Sequence, residues 1–286
     1  MNGQLDLFSI IESPVNIYHI RRKIAGKTKQ LLYLPLDTID LIKGNRPPQE
    51  KIFVGDGSWH AVGSEFLRYF TSLALLRTDE KVLDVGCGIG RMAIPLTRYL
   101  RPPGGYTGFD IVSGGISWCR NNISTRYPHF AFAHADVFNK HYNPEGKLKA
   151  SEYRFPSEDG TQDFVFLTSV FTHMLPPDVN HYLDEIARVL KPGGRCMCTF
   201  FLINSESLAG ITSARSEFTF ASQPGGYYVL HATDPEAAVA FEESVIRRLF
   251  EERQLTIRVP VRYGSWSGRR HHLSFQDIII AEKKKP

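Results

Sequence analysis

Cysteine is scarce in this sequence, with only four in 286 residues (Cys87, Cys119, Cys196 and Cys198) and no C-x-x-C pair among them. That spacing supports neither a disulfide framework nor a cysteine–histidine metal site, so reduced and mostly buried thiols in a cytoplasmic protein are expected. Cys196 and Cys198 fall in one predicted strand and are expected on opposite faces of it. No run of about 18 apolar residues occurs, so no transmembrane helix is expected. The segment 1–13 contains acids and lacks the apolar core of a secretory signal. The formal net charge of +4 is too small to argue for a nucleic-acid partner. The length, with 42% hydrophobic and 12% aromatic residues, suffices for one large domain or a domain with an appended cap.

An alternation of strands and helices begins near Val62. Helices are predicted over 65–76, 91–100, 115–127 and 178–190, the second bent by Pro95. Strands are predicted over 81–85, 106–109, 130–133, 163–168 and 195–202. A further helix at 238–253 and strands at 256–261 and 276–282 complete the pattern. Such alternation argues for an α/β fold with a parallel sheet, right-handed crossovers and helices on both faces. Residues 1–55 stand outside the rhythm as an N-terminal cap, and 56–286 form the main domain with an insert at 203–245. Within the cap, 19–30 holds Arg21, Arg22, Lys23, Lys27 and Lys29 without one acid, and Ile17, Ile20 and Ile24 fall at helical spacing. The segment 17–36 reads either as a cap helix with a solvated basic face or as a peripheral contact for an anionic membrane. The connection 137–162 is long and polar, which is usual for functional or disordered loops.

The most informative stretch is Val82-Leu-Asp-Val-Gly-Cys-Gly-Ile-Gly-Arg91. A predicted strand runs through Asp84 into Gly86, Gly88 and Gly90, and a helical pattern follows. Glycines so placed allow a tight turn and let a ligand approach the backbone. The dinucleotide fingerprint would need a third glycine where Arg91 stands, which weakens a nicotinamide reading. Asp110 closes the second strand, where an open α/β sheet places a carboxylate for ribose hydroxyls. Asp84, Asp110 and Asp136 each lie at or near the carboxyl end of a successive predicted strand, the edge at which such sheets bind ligands.

Taken together, this decapeptide resembles motif I of the class I S-adenosylmethionine-dependent methyltransferases. Phe155-Pro-Ser-Glu-Asp-Gly-Thr-Gln-Asp-Phe164 is similar to the family's lead into strand four, and Val189-Leu-Lys-Pro-Gly-Gly-Arg195 to its turn before strand five. The likeness covers roughly 62–202 and, more loosely, 245–283. It implies a Rossmann-like, seven-stranded, mostly parallel sheet whose last strand is antiparallel. It also implies S-adenosylmethionine as cofactor, S-adenosylhomocysteine as product and no metal. The cofactor contacts it implies are Asp84, Gly86, Cys87, Gly88, Gly90, Arg91, Asp110, Ile111, Asp136, Val137 and Thr168. Ile111 would pack on the adenine, and Asp136 would meet its amino group.

Methyl transfer needs two reacting centres held in register and shielded from water, and an oxygen acceptor can also need a base. His173, in Thr168-Ser-Val-Phe-Thr-His-Met174 after strand four, is the leading base or acceptor-positioning residue. The competing reading has it capping the helix that Pro176, Pro177 and Asp178 announce. Trp59 and His60 are candidate acceptor contacts from the cap side, or packing between cap and core. Arg269, Arg270, His271 and His272 form a basic cluster that suits an anionic acceptor or a solvated turn, and Lys283 to Lys285 read as a solvated tail. The cap and insert favour a small-molecule or lipid-linked acceptor, methylated at oxygen. Thr168-Ser-Val-Phe171 replaces the tetrapeptide typical of base N-methylation, which argues against N-methylation of a nucleic-acid base and leaves RNA and protein targets open. The alternatives are a membrane-surface enzyme and a non-catalytic S-adenosylmethionine-binding module. Oligomeric state is not readable from the sequence.

Overall fold

Apolar runs bounded by glycine, proline or charge become strands in the computed structural model, which describes residues 36–40, 42–53, 55 and 57–285. Almost all of the basic 17–36 segment therefore lies outside the described residues. The strands are β1 (Lys81–Val85), β2 (Gly105–Asp110), β3 (Phe130–His134), β4 (Gln162–Leu167), β5 (Leu190–Phe200), β6 (Leu202–Ile203), β7 (Ala221–Gln223), β8 (Tyr227–Val229), β9 (Val239–Glu242), β10 (Leu255–Ile257) and β11 (Asp277–Lys283). Seven of them form one sheet in the order β10-β11-β5-β4-β1-β2-β3. Strands β1 to β5 pair in parallel. β11 runs antiparallel to both β5 and β10.

Side chains alternate across each strand, so one sheet buries two separate layers. Helices α1 (Trp59–Ser72), α2 (Ala93–Thr97) and α3 (Ser113–Cys119) pack on one face, where Phe70, Leu96 and Ile116 meet Val82, Phe164 and Phe166. On the other face α4 (Pro176–Val189) and α6 (Glu243–Glu252) bring Leu183, Ile186 and Phe250 against Leu83, Val165 and Leu167. Each fully buried Phe or Leu contributes about 1.5–3 kcal/mol. α1 begins at Trp59, earlier than its apolar spacing suggests, because the Ser58 side chain accepts the Ala61 N–H and caps the helix there. α2 is only five residues long and has Pro95 at its centre.

Three expectations change. Cys196 and Cys198 lie in the same apolar layer, not on opposite faces, since side chains two apart on a strand point the same way. The helix expected from 238 starts at Glu243, because Val239–Glu242 pairs instead as β9 with β6 and β8. The insert thus adds a second sheet, ordered β6-β9-β8-β7, with α5 (Ser205–Thr212) beside it. Phe201, Phe220, Ala240 and Trp266 give it an apolar centre. Finally, Lys283 belongs to β11, and its Nζ donates to the Ala187 and Leu190 carbonyls at 2.6 and 2.8 Å, a cation at the carboxyl end of α4.

Candidate active site

β1 lies between β2 and β4 in the sheet order, so the connections leaving these strands diverge and open a crevice at their carboxyl ends. A cavity of about 580 Å³ fills that crevice, within the usual range of small-molecule sites. Gly86, Asp110, Ile111, Val137 and Thr168 line it. The long connection after β3 and the segment after β4 close its other sides.

The glycine loop works by making room. Gly86, Gly88 and Gly90 all have positive φ (77°, 57° and 85°), a region that costs other residues strain. A Cβ on Gly86 would stand 2.5 Å from Val170 Cγ2, and one on Gly90 2.8 Å from Ile123 Cδ1. Most of its N–H groups are already engaged. Gly86 and Cys87 donate to the Phe109 carbonyl at 2.9 and 3.0 Å, Gly90 to Cys87, and Gly88 to Asp110. A ligand would therefore meet a surface pared back to backbone at Gly86 rather than a row of free donors.

Asp110 ties the loops together. Its Oδ2 accepts the Gly88 N–H at 2.7 Å and its Oδ1 the Val112 N–H at 2.9 Å. Each oxygen keeps a further lone pair, and the side chain forms part of the cavity wall. Burial pushes its carboxyl up, while the N–H groups of Val112, Gly88 and Ile111 pull it back. A rigid carboxylate with spare acceptor capacity between apolar Ile111 and Val137 suits a ligand that pairs a vicinal diol with a flat ring. The residues present fit the nucleoside part of S-adenosylmethionine.

Across the cavity, Ser169 follows β4 with φ of 61°, and its N–H donates to Thr199 Oγ1 at 2.7 Å. Non-glycine residues held in this conformation cluster at functional sites. His173 also lines the cavity, and its Nδ1 lies 3.0 Å from the Glu236 carbonyl. A carbonyl can only accept, so Nδ1 carries the proton and Nε2 keeps its lone pair. Burial lowers the His173 pKa, opposed by the Glu236 and Ala237 backbone, so the ring is neutral at pH 7. Glu236 comes from the insert, and Asp178 and Tyr182 from the start of α4; all three line the cavity.

Several residues singled out in the sequence stand away from this wall. Asp84 is wholly buried beneath the glycine loop, where its Oδ2 accepts the Tyr106 hydroxyl at 2.6 Å and its Oδ1 has no hydrogen-bond partner among the described residues. Burial pushes its carboxyl up to about 8. Cys87 is buried beside it, its thiol raised by the same desolvation. Arg91 is buried and turns away from the cavity, donating to the Gly55 carbonyl at 2.8 Å and covering the Trp59 ring. Trp59 and His60 face a separate pocket of about 160 Å³, with Trp59 Nε1 on the Asn45 carbonyl and His60 Nδ1 2.8 Å from Asp40. They join the 36–53 segment to α1 rather than lining the main cavity. Gly88 and Gly90 shape the loop from behind, and Asp136 precedes Val137 with its carbonyl bound by Lys147 and Leu148. Arg269 is buried over the Tyr263 ring and donates to Asn204, so it is not open to an anionic acceptor. Among the described residues no cluster of three or more His, Cys, Asp or Glu has the makings of a metal site.

Sequence reasoning missed Ser169, Asp178, Tyr182 and Glu236 as cavity residues. The positive φ of Ser169 has no compositional mark, and Glu236 reaches the site only through the pairing of β9.

Residues 82–194 match the family described as methyltransferase domain. The stretch from β1 into β5 is thus similar to a methyltransferase domain, and it lies on a Rossmann-like sheet. A fatty-acid O-methyltransferase from Mycolicibacterium smegmatis is 34% identical over 122 residues, 42% of this chain and 36% of that protein. A tRNA N(3)-cytidine methyltransferase, METTL2, from Gallus gallus is 27% identical over 122 residues, 40% of this chain and 28% of that protein. The match thus spans about a third of the length of these two curated relatives, whose printed names differ in acceptor. The crystal structure of PH0226 protein from Pyrococcus horikoshii OT3 superimposes with a TM-score of 0.55 at 17% identity, covering 82% of this chain and 95% of that one. At that identity the likeness is one of fold. Among the described residues, no helix is long and apolar enough to cross a membrane.

Proposed function

We propose that the protein transfers a methyl group from S-adenosylmethionine to the oxygen of a small or lipid-linked acceptor. The observation that carries this reading is Asp110, fixed by two backbone N–H groups on the wall of a cavity that faces His173. Asp110 would accept the ribose hydroxyls. Ile111 and Val137 would flank the adenine, and Gly86 would let the chain of the cofactor pass close. When bound, the cofactor supplies a methyl group on a positively charged sulfur.

The protein's own contribution is to orient, exclude water and move one proton. His173 Nε2 would take the hydroxyl proton as the acceptor oxygen gains the methyl group, leaving S-adenosylhomocysteine as product. General-base catalysis of this kind contributes about 10²–10⁴-fold. Two features support a lipid-linked acceptor. Phe138 and Tyr142 line the cavity yet are 53% and 48% exposed, an apolar margin open to a hydrocarbon chain. One relative, in addition, is named for a fatty acid, which shares with such an acceptor its hydrocarbon chain and not its reacting group.

The test uses methyl-labelled S-adenosylmethionine with cell extract divided into water-soluble, lipid and macromolecular fractions. Label in the lipid or small-molecule fraction is the expected result. Label confined to macromolecules contradicts the acceptor class. Cofactor binding without transfer to any fraction favours a non-catalytic binding module.

A further inference from the structure

We infer that Glu236 positions the acceptor and restricts it to uncharged or cationic groups, excluding carboxylates; this rests on the methyl-transfer reading. The charged residues on the cavity wall are Asp110, Asp178, Glu236 and Lys149, with the neutral His173 among them. Lys149 offers an anion little, because it lies 3.4 Å from Glu152 with its side chain 76% exposed. Among the described residues, three carboxylates therefore face the cavity with no buried cation to balance them.

Glu236 stands out within this set. Its backbone is held at two points: its carbonyl accepts from His173 Nδ1, and Asp234 two residues earlier lies 3.0 Å from His141 Nε2 and 3.8 Å from Lys140 Nζ. Its side chain is half-buried, yet among the described residues no hydrogen bond or ion pair meets its carboxylate. Burial and the neighbouring Asp178 push its carboxyl up, against the pull of His141 and Lys140. By contrast, Asp178 accepts the Ser151 N–H and so has a structural task. A half-buried carboxylate without a partner calls for a donor from the ligand.

An acceptor hydroxyl or amine would supply that donor while lying beside His173. A carboxylate in the same place would be brought next to Glu236 and Asp178, and the described wall adds no buried cation to the single positive charge of the cofactor's sulfur, which is unfavourable at low dielectric. The insert thus contributes the residue that reads acceptor charge, and it does so on the same peptide that fixes the His173 ring.

The test takes the full-length protein, methyl-labelled S-adenosylmethionine and the extract fraction that accepts label. The labelled product is treated with mild alkali, which releases methanol from a methyl ester but not from an ether or N-methyl group. Label is expected to stay with the product. Glu236→Gln keeps the backbone carbonyl to His173 and nearly the same shape. It should raise the half-saturating amount of the active fraction by roughly 10-fold or more, with S-adenosylhomocysteine affinity by calorimetry within about twofold. Glu236→Asp should recover part of the loss. Labelled methanol on alkali treatment, or an unchanged half-saturation in Glu236→Gln, overturns the assignment. A wild-type protein that binds S-adenosylhomocysteine but labels no fraction fails at the earlier step, and the assignment falls with it.

Discussion

His173 donates its Nδ1 proton to the Glu236 carbonyl at 3.0 Å, a bond that joins the segment after β4 to the insert 63 residues later. The bond fixes the tautomer and leaves Nε2 with a lone pair for the proposed role as base. His173→Ala should therefore cut turnover by about 10²–10⁴-fold and leave S-adenosylmethionine affinity nearly unchanged. A large loss of cofactor affinity would instead make His173 a cofactor or folding residue. The pH dependence follows from the direction of its shift. Burial holds its pKa below the ordinary value of about 6.5. The neutral base thus persists into mild acid, and the acid limb of kcat/KM is expected below pH 6.5. The same shift makes the unfolded chain bind more protons between the two pKa values, so this group's contribution to stability falls as pH drops through that window. An acid limb above pH 6.5 that disappears in the alanine variant would reverse the argument.

Gly88 stands at φ of 57° with its N–H on Asp110. Valine there faces left-handed strain of about 1–3 kcal/mol, and relieving it would move Asp110 out of place. Gly88→Val is expected to weaken S-adenosylmethionine binding by at least ~10-fold, read by calorimetry on folded protein. Wild-type affinity would mean that the loop is a turn without a part in binding.

Asp84 gives the protein a predictable alkaline weakness. Its carboxyl is raised to about 8 by burial, with Tyr106 opposing and Asp110 adding to the rise, against about 3.9 when unfolded. Between those values the folded chain holds the extra proton, so stability falls as pH rises from about 4 to about 8. Asp84→Asn removes this titration. Its Tm should change less than that of wild type between pH 6 and pH 9, and parallel curves would show that Asp84 is charged in the fold at neutral pH.

A second buried charge is structural. Arg195 on β5 donates its Nη1 to Glu80 Oε1 at 3.0 Å and its Nε to the Ala74 carbonyl at 2.9 Å, joining the bulged start of the β4–β5 pairing to the turn before β1. Glu80 is 1% exposed. Arg195→Met leaves that buried carboxylate with only the exposed Arg77 guanidinium and the Arg77 N–H, each at 3.0 Å, which should cost about 1–3 kcal/mol in urea unfolding. Adding Glu80→Leu should return much of the loss. A single-variant cost below ~1 kcal/mol would mean that Glu80 reaches water or takes up a proton.

What was legible in the sequence is what local chemistry dictates. β1, β2 and β4 are short apolar runs bounded by glycine, proline or charge, and their order along the chain already argued for a parallel sheet. Asp110 was identifiable because a carboxylate ending a strand after a glycine turn has a restricted set of uses. Arg91, Trp59 and His60 were less legible, because their partners Gly55, Asn45 and Asp40 are set by how the 36–53 segment meets α1, and no spacing encodes that contact. The insert showed itself only as a break in rhythm: β7 and β8 are three residues each, too short for an alternating pattern to register. Glu236 follows from that same sheet. It reaches the cavity because β9 pairs with β6 and β8, a non-local event.

The most direct test of the account is calorimetric titration of the wild-type protein and Asp110→Ala with S-adenosylmethionine and, separately, with NAD. The account predicts that the wild type binds S-adenosylmethionine and not NAD, and that Asp110→Ala, still folded, loses most of that affinity. Tighter binding of NAD, or an Asp110→Ala variant that binds S-adenosylmethionine as the wild type does, would contradict it.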